Sequence, residues 1–350
     1  KMNVLVTGGA GFIGSHICLE LLQQNHNVLV VDNLHNSTEQ NLINVGKILS
    51  EDLCFDSPNK KFSFYKFDLR DSTSLRDFLS KNKVDAIIHC AGFKSPEESE
   101  RQPLSYFDNN LVSSVTLFQE ALFADVKTFI FSSSASVYGL ADTLPINEDQ
   151  EIGTISNAYA RTKLIIEEML LDMYSAYEDL KIICLRYFNP VGSHSSALIG
   201  DNPKNTPNNL MPRINNVILG KQKKLKIYGD DYNTRDGTGI RDYIHIVDLA
   251  KGHCKALTYL EDKTSIFDVI NLGRGEGTTV LELIKAYEDC SGEIIPTEIE
   301  VRREGDIEES WADVSKAKKL LSWEAKFDLD DICRDNWTWL QTIPKNNTES

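Results

Sequence analysis

The chain has 350 residues, a length that predicts roughly two domains. Hydrophobic residues make up 41% and charged residues 25%, an ordinary globular composition that excludes a chain disordered throughout. Asp and Glu (52) outnumber Lys and Arg (37), and the net charge of −15 argues against a nucleic-acid-binding protein. Any anionic ligand must therefore be held locally, by helix N-termini, backbone N–H groups and a few Arg side chains.

The cysteines are scattered and predict no metal site. Seven occur, at positions 18, 54, 90, 184, 254, 290 and 333, without a CxxC pair, so we expect neither zinc nor a redox dithiol. Several lie in apolar runs, as reduced buried thiols do, and this favours a cytoplasmic location. No apolar stretch approaches the roughly 18 residues of a membrane span, so we expect no membrane association and no signal peptide.

The first 190 residues alternate short apolar runs with longer amphipathic stretches. We predict strands at Asn3–Thr7, Asn27–Asp32, Phe62–Asp68, Val84–Cys90, Lys127–Ser133 and Leu180–Phe188. The intervening patterns predict helices at Phe12–Gln24, Ser72–Lys81, Leu104–Ala124 and Asn157–Tyr177, and a helix followed by a polar loop over Val45–Lys61. Nearly continuous apolar strands alternating with helices predict a Rossmann-type, doubly wound parallel α/β sheet.

The pattern changes after Asn189. Residues 193–212 read as a covering loop, followed by a helix near Asn209–Leu219, a strand near Lys226–Tyr228, a helix over Val247–Leu260 and a strand near Phe267–Asn271. We therefore expect a dinucleotide-binding domain over residues 1–188, onto which residues 239–272 pack back. Residues 189–350 are expected to form a smaller α/β substrate domain.

A glycine-rich turn joins the first predicted strand to the first helix. Gly8, Gly11 and Gly14 follow one another at three-residue spacing, and Asp32 ends the second strand 18 residues beyond Gly14. Glycines there let a pyrophosphate approach the helix N-terminus, and a carboxylate in the place of Asp32 binds ribose hydroxyls and repels a 2′-phosphate. This predicts NAD rather than NADP. The alternative is a glycine turn that only allows tight packing.

Asp68 and Leu69 end the third predicted strand. The Asp68 carboxylate either accepts a hydrogen bond from an adenine amino group or caps the helix at Ser72. Both alternatives remain open from the sequence.

Tyr159 and Lys163 are four residues apart near the start of a predicted helix, which places them on one face. A nearby ammonium favours the phenolate, so we expect the pKa of Tyr159 to fall. Ser134, at the end of the fifth strand, is placed to relay a proton between a substrate hydroxyl and Tyr159. These three are the candidate catalytic residues. The alternative is a surface Tyr–Lys pair.

A dense set of motifs carries a resemblance to a known family. These are TGGAGFIGSH, VVDN, AGFKS, FDNN, SSSASVYG, YARTK, RYFNPVG, NNLMPR, DGTGIRDYIHIVD and RREGD, spread from about Asn3 to about Trp339. Together they resemble the extended short-chain dehydrogenase/reductases, and within that family the 4-epimerases of UDP-hexoses. The resemblance implies reversible 4-epimerisation of UDP-glucose and UDP-galactose through a 4-keto sugar, with NAD bound tightly and not consumed, in galactose metabolism.

The resemblance also implies roles for individual residues. Tyr159 is the base, Lys163 holds the cofactor ribose, and the other implied cofactor-binding residues are Gly8, Gly11, Phe12, Ile13, Gly14, Asp32, Asn33, Asp68, Leu69, Lys94, Asn109 and Tyr187. The implied substrate-binding residues are Lys94, Ser134, Tyr159, Phe188, Asn189, Asn209, Leu210, Tyr228, Arg241, Arg303, Asp306 and Ser310. Arg241 and Arg303 suit a diphosphate, but each also has a neighbouring acid, Asp242 or Glu304, with which it could pair instead.

Several alternatives remain. A nucleotide-sugar 4,6-dehydratase is disfavoured because its family has Asp-Glu where this chain has Ala135-Ser136. A decarboxylase, or a 4-epimerase of pentose or uronic acid sugars, differs only in pocket shape, and an NAD-sensing interaction protein is disfavoured by the complete Ser-Tyr-Lys set. Ser310 stands where the family places a residue next to the sugar 2-position, and its small size predicts that N-acetylhexosamine substrates fit. The resemblance further implies a homodimer built on the helices near Leu104–Ala124 and Asn157–Tyr177.

Overall fold

The computed structural model describes residues 1–204, 207, 209–303 and 305–344. Within these ranges the strands are β1 (Asn3–Thr7), β2 (Asn27–Asp32), β3 (Cys54–Phe55), β4 (Phe62–Lys66), β5 (Ala86–His89), β6 (Thr128–Ser134), β7 (Lys181–Tyr187), β8 (Asn189–Val191), β9 (Leu225–Tyr228), β10 (Ile240–Arg241), β11 (Tyr243–His245), β12 (Ile266–Leu272), β13 (Thr278–Thr279), β14 (Thr297–Glu300) and β15 (Glu309–Ser310). The helices are α1 (Phe12–Gln23), α2 (Gln40–Leu49), α3 (Ser72–Lys81), α4 (Pro96–Arg101), α5 (Pro103–Tyr106), α6 (Ser113–Phe123), α7 (Ala158–Ala176), α8 (Leu210–Ile218), α9 (Ile246–Glu261), α10 (Val280–Ser291), α11 (Ser315–Leu321) and α12 (Leu329–Leu340).

A parallel sheet organises the larger part of the chain. In the described residues it has eight strands in the order β12-β7-β6-β5-β1-β2-β4-β3. Along β1, Val4 and Val6 pack into the core on one face, and Leu5 packs into the core on the other. All three are fully buried, which explains why the strand sequences are continuously apolar rather than alternating. The predicted doubly wound sheet is confirmed.

The strand order reverses at β1, which lies between β2 and β5. In an open parallel sheet the carboxyl ends of the strands on either side of such a reversal border a crevice that binds ligands. The segments after β1, β2, β5 and β6 therefore carry the predicted site residues to one edge of the molecule.

The later part of the chain both extends the large sheet and forms a second, smaller core. Strand β12 extends the large sheet beside β7, and α9 packs on α1. A separate core forms where α8, α10 and α12 meet β9, with Ile214, Leu283, Tyr287 and Ile332 fully buried. Among the residues described, no helix is both long and apolar enough to cross a bilayer.

Two stretches differ from their predicted form. Residues 45–61 were predicted to form a helix followed by a loop. In the structure α2 ends at Leu49, and the stretch after it also contains the short edge strand β3. The predicted single helix Leu104–Ala124 consists of α5, a π-helical segment over Phe107–Val112, and α6. A π-helical turn changes the hydrogen-bond spacing to i→i+5 without interrupting the apolar pattern, so the sequence shows no sign of it.

Candidate active site

The glycine turn leaves the N-terminus of α1 open. Gly8 has a φ of +67°, and a Cβ there would lie 2.8 Å from the Ala91 nitrogen. A Cβ on Gly14 would lie only 2.3 Å from the Gly8 carbonyl oxygen. Gly11 caps α1 without any side-chain hydrogen bond, so backbone N–H groups of the first turn face the crevice. Such an N-terminus is an anion-binding site.

Asp32 is fixed at the end of β2, on the same crevice. Its Oδ2 accepts a hydrogen bond from the Ala10 nitrogen (3.1 Å), and its Oδ1 accepts one from the Leu34 nitrogen (2.8 Å). Burial raises the pKa of Asp32, and these backbone hydrogen bonds oppose the rise. Its Oδ1 also accepts a hydrogen bond from Ser37 Oγ (3.3 Å), so Oδ2 is the oxygen better placed to accept from a sugar hydroxyl.

Asp68 forms an ion pair instead of capping a helix. Arg70 donates from Nε to Asp68 Oδ1 (3.0 Å) and from Nη2 to Oδ2 (2.8 Å), and Asn33 Nδ2 also donates to Oδ2 (3.0 Å). These contacts hold the pKa of Asp68 well below its usual range. Asp71 caps α3 by accepting from the nitrogens of Thr73 and Ser74. The capping alternative for Asp68 is therefore wrong.

The three candidate catalytic residues lie together at the ends of β6 and α7. Asn157 caps α7 by accepting from the Ala160 nitrogen (2.8 Å), which places Tyr159 and Lys163 in its first two turns. The Ser134 side chain lies near Tyr159 and favours its ionised form. Lys163 Nζ lies 6.0 Å from the centre of the Tyr159 ring.

Lys163 is held in place by β6. Its Nζ donates to the Ser132 carbonyl oxygen (2.8 Å) and lies 4.9 Å from the centre of the Phe131 ring. Burial lowers the pKa of Lys163 to about 8.

The expected fall in the pKa of Tyr159 is wrong. Burial raises its pKa above the usual value, and the nearby Ser134 side chain opposes the rise. The i,i+4 spacing does place Tyr159 and Lys163 on one face, but the lysine ammonium points to a backbone carbonyl and the half-buried phenolate loses part of its hydration.

The π-helical segment joins the site from a third side. Asn109 faces the crevice, and its Nδ2 donates to Asn110 Oδ1 (3.0 Å). Asn110 is buried, accepts from the Phe93 nitrogen (2.7 Å) and donates to Thr162 Oγ1 (3.0 Å). Sequence reasoning singled out Asn109 but missed Asn110, which ties the loop after β5 to the catalytic helix.

A cavity of about 1360 Å³ occupies the crevice. It is lined by fourteen of the predicted site residues, namely Gly8, Gly11, Phe12, Ile13, Gly14, Asp32, Asn33, Asp68, Leu69, Lys94, Asn109, Asn209, Tyr228 and Arg303. Ten predicted residues, all within the described ranges, lie outside its lining: Ser134, Tyr159, Lys163, Tyr187, Phe188, Asn189, Leu210, Arg241, Asp306 and Ser310.

The catalytic residues lie directly behind the cavity wall. Cys90 lines the cavity, and its Sγ is 3.0 Å from Ser132 Oγ, on the residue whose carbonyl binds Lys163. Tyr187 is the register partner of Ser134 across β6 and β7, and it is buried. Lys94 also lines the cavity, and its Nζ lies 4.0 Å from Asp201 Oδ1.

The predicted substrate residues fall into two groups. Arg241 Nη2 donates to Asp306 Oδ1 (2.6 Å), so Arg241 pairs with Asp306 rather than with Asp242. Ser310 is the register partner of Arg241 in β15, and it is buried. Asn189 is the first residue of β8, and its backbone nitrogen donates a hydrogen bond to the Asp242 carbonyl oxygen (2.9 Å).

The second group contains an arginine that sequence reasoning missed. Arg303 lies 3.9 Å, and Arg213 5.1 Å, from the centre of the Tyr228 ring, and all three line the cavity. Among the described residues neither guanidinium forms an ion pair with a carboxylate. Two neighbouring guanidinium groups that form no ion pair within the described ranges favour an anionic ligand. Arg213 lies in the quoted NNLMPR motif, but one Arg in an amphipathic helix carries no signal of this position.

These features fit a dinucleotide. The cradle that a Cβ at Gly8 or Gly14 would fill suits a pyrophosphate, and the Asp32 carboxylate at the end of β2 suits unphosphorylated ribose hydroxyls. With a Ser-Tyr-Lys group at the strand ends, half-buried at Ser134 and Tyr159 and buried at Lys163, the fold and the site define a nicotinamide-dependent enzyme of the short-chain dehydrogenase/reductase class.

Comparison with known proteins narrows the class. Residues 4–273 match the model of the NAD dependent epimerase/dehydratase family. The UDP-glucose 4-epimerase GEPI48 of Cyamopsis tetragonoloba is 47% identical over 98% of this chain and 96% of its own length. The crystal structure of UDP-glucose 4-epimerase from Bifidobacterium longum in complex with NAD⁺ and UDP is 43% identical, covers 97% of this chain and 98% of its own, and has a TM-score of 0.92. The UDP-Glc/GlcNAc 4-epimerase from Campylobacter jejuni is 34% identical over 98% of this chain and all of its own, with a TM-score of 0.82.

The chain therefore belongs to the NAD dependent epimerase/dehydratase family, in its UDP-glucose 4-epimerase branch. Its cofactor is NAD, and it is an enzyme.

Proposed function

We propose that this enzyme interconverts UDP-glucose and UDP-galactose by inverting C4 of the hexose, with Tyr159 as the base, in galactose metabolism. The observation that carries the proposal is the contact between Tyr159 and Ser134 beside the Lys163 ammonium, next to a cleft that runs from the glycine turn to two arginines. When bound, NAD supplies a hydride acceptor that can also return the hydride.

Tyr159 takes the proton of the sugar 4-hydroxyl, and Ser134 relays it. The Ser134 side chain lies near Tyr159, so a substrate hydroxyl bound between the two would complete a proton path. Removal of this proton and of the C4 hydrogen leaves a 4-keto sugar, and return of hydrogen to its opposite face inverts C4. Tyr159 then gives the proton back, so no group is consumed.

Lys163 keeps the phenolate accessible at working pH. Its ammonium is 6.0 Å from the Tyr159 ring, and a positive charge at that distance favours the phenolate over the neutral phenol. A 4,6-dehydratase would need an additional acid and base after Ser134, and the residues there are Ala135 and Ser136 in a 3₁₀ turn. Elimination of water is therefore not part of the proposal.

The nucleotide is held at the other end of the cleft. Arg303 and Arg213 flank Tyr228 and offer two positive charges to the diphosphate, and Asn209 at the start of α8 lies on the same wall. Arg241, Asp306, Asn189, Leu210 and Phe188 complete the proposed sugar-nucleotide surface. Lys94, Asn109 and Tyr187 are proposed to contact the nicotinamide half of the cofactor.

We extend the substrate range to UDP-N-acetylglucosamine and UDP-N-acetylgalactosamine. The support is Ser310, which lies in β15 next to Arg241 and whose short side chain would take less room beside an N-acetyl group than a larger one. The similar enzyme from Campylobacter jejuni carries both activities in its name.

We further propose a homodimer in the cytoplasm, with residues 1–188 as the cofactor domain and residues 189–350 as the substrate domain. All seven cysteines are unpaired, as in a reducing compartment. Val112, Val115, Phe123 and Leu171 expose apolar side chains on the π-helical segment, α6 and α7, and a second copy would cover them.

Replacing Tyr159 tests the mechanism. Tyr159→Phe keeps the ring but removes the proton-transferring hydroxyl, so kcat for UDP-galactose should fall by about 10³-fold or more while bound NAD is retained. Turnover is measured by product analysis, and NAD by absorbance after denaturation. Near-normal turnover in a folded, NAD-loaded variant would refute Tyr159 as the base.

A further inference from the structure

A carboxylate buried behind the catalytic residues connects three elements of the site. Glu167 is 4% exposed and lies on α7, one helical turn after Lys163 and two turns after Tyr159. Its Oε1 accepts hydrogen bonds from Ser133 Oγ (2.5 Å) and Arg186 Nε (3.0 Å), and its Oε2 accepts one from Arg186 Nη2 (2.5 Å). One side chain therefore ties α7 to both β6 and β7.

Glu167 binds β6 and β7 at the residue that directly precedes the site in each strand. Ser133 and Arg186 are register partners across β6 and β7, and the next pair along is Ser134 and Tyr187. A shift of Glu167 would move Ser134 relative to Tyr159, because the two residues reach the site from the strand and the helix that Glu167 joins.

The cluster continues beneath the site to a third strand. The Arg186 guanidinium lies 4.6 Å from the centre of the Tyr138 ring, and the Tyr138 hydroxyl donates to Asn271 Oδ1 (2.6 Å). Asn271 on β12 is itself the register partner of Arg186. The polar groups of this cluster are buried and hydrogen-bonded, which favours one rigid arrangement.

We propose that Glu167 is a positioning residue for the epimerase reaction, which fixes the Ser134–Tyr159 contact and keeps Lys163 in its ammonium form. This inference rests on the proposed function, because it takes Tyr159 as the base. A buried ion pair is by itself weak evidence for a stabilising role, so its place directly behind the catalytic residues carries the argument.

The electrostatic half of the proposal concerns Lys163. The titratable groups that face it are His89 and Cys90 at the end of β5, and Tyr159 and Glu167 on α7, while β6 contributes the Ser132 carbonyl and the Phe131 ring. Burial lowers the pKa of Lys163 to about 8, and the negative charge of Glu167 opposes this. Loss of that charge also leaves Arg186 unneutralised, which lowers the pKa of Lys163 further.

The experiment compares Ser133→Ala, Glu167→Gln and Glu120→Gln with the parent enzyme. Glu120 is the matched control, since it is also a buried carboxylate with a two-pronged arginine partner, Arg76 (Nε 2.9 Å, Nη2 2.6 Å), but it joins α6 to α3 away from the site. Bound NAD, kcat and KM for UDP-galactose, and the pH dependence of kcat are measured for each folded variant.

We expect Ser133→Ala and Glu167→Gln to lower kcat by about tenfold with NAD retained and KM within about twofold, because a small misplacement of reacting groups reduces the rate rather than binding. In Glu167→Gln the alkaline limb of the pH profile should move to lower pH by roughly one unit. Glu120→Gln should change neither quantity.

The proposal is overturned if Ser133→Ala, folded and loaded with NAD, has a kcat within twofold of that of the parent enzyme. It is also overturned if Glu120→Gln lowers kcat as much as Ser133→Ala does. Should Glu167→Gln fail to fold, Ser133→Ala decides alone. Tyr159→Phe distinguishes the failure of the proposed function from the failure of the Glu167 proposal. An active Tyr159→Phe refutes Tyr159 as the base. An inactive Tyr159→Phe together with a normally active Ser133→Ala refutes only the role of Glu167.

Discussion

Lys163 is a buried cation whose charge the site needs. Burial lowers its pKa to about 8, and its Nζ is bound to the Ser132 carbonyl oxygen at 2.8 Å. Since the folded-state pKa lies below the usual lysine value, the ammonium form predominates well below pH 8, is half lost at about pH 8 and is lost as the pH rises further. Activity that depends on this charge should therefore decline above about pH 8.

Lys163→Met tests this dependence. Without the ammonium the alkaline decline should disappear, and the ionisation of Tyr159 that governs the acid limb should move to higher pH, because a nearby cation favours the phenolate. The measurement is kcat/KM for UDP-galactose between pH 5.5 and 9.5 for both proteins. An unchanged acid limb in the variant would contradict the assigned role.

Ser310 sets the width of the sugar site in the proposed function. The parent enzyme should accept UDP-N-acetylglucosamine, and Ser310→Tyr should abolish that activity while largely sparing UDP-galactose, because the larger ring fills the space of the N-acetyl group. Steady-state kinetics on both substrates provides the test. A parent kcat/KM about 1000-fold lower for the N-acetyl sugar, equivalent to about 4 kcal/mol, would rule out the wider range.

For single residues, the sequence predicts which side chains serve the site better than it predicts their hydrogen-bond and ion-pair partners. The i,i+4 spacing of Tyr159 and Lys163 follows from helix geometry, and the glycine turn follows from its own spacing. The pairing of Arg241 with Asp306 and the joining of Glu167, Ser133 and Arg186 do not follow, because each depends on how distant segments meet. The raised pKa of Tyr159 likewise depends on burial, which no local spacing reveals.

The β1–α1 turn is the element that most directly serves the cofactor. Gly14→Ala would place a Cβ 2.3 Å from the Gly8 carbonyl oxygen, so the first turn of α1 must shift. We expect the purified variant to carry less NAD and to unfold at a lower temperature than the parent. Gly11→Ala is the graded comparison, since its Cβ would lie 3.3 Å from the same oxygen, and it should destabilise the fold less. Full NAD content in Gly14→Ala would contradict the account of this turn.

Elements with a clear hydrophobic period were predicted well, and those without one were not. The predicted bounds of β1, β2 and α3 are those of the structure. The two-residue strands β10, β13 and β15 form a small sheet that holds Arg241 and Ser310, but strands so short have no period to detect. The π-helical segment over Phe107–Val112 was missed because its side chains continue the helical pattern.

At the scale of the whole molecule, an exposed apolar surface lies on the outer helices. Val115 and Phe123 are eight residues apart on α6 and are 47% and 77% exposed, so they share one side of that helix. In the proposed homodimer a second copy covers them. Val115→Lys should therefore convert the dimer to a monomer, whereas Ile294→Lys, at an 85% exposed residue of the smaller core region, should not. Light scattering during size-exclusion chromatography measures both, and a parent enzyme that is monomeric would contradict the proposal.

The net charge of −15 and the anionic ligands are compatible because charge is arranged locally. The glycine turn offers backbone N–H groups, and Arg213 and Arg303 add two positive charges at the far end of one cavity. The acidic surface excludes polyanions at long range without preventing the binding of nucleotides at these points.

The central claim is that hydrogen leaves C4 of the sugar and returns to the same carbon within one site. The most direct test is to incubate the purified enzyme, without added NAD, with UDP-galactose that carries deuterium at C4, and to analyse the product by mass spectrometry and NMR. We expect UDP-glucose with the deuterium retained at C4. Product in which the deuterium has exchanged with solvent, or no UDP-glucose at all from NAD-loaded enzyme, would contradict it.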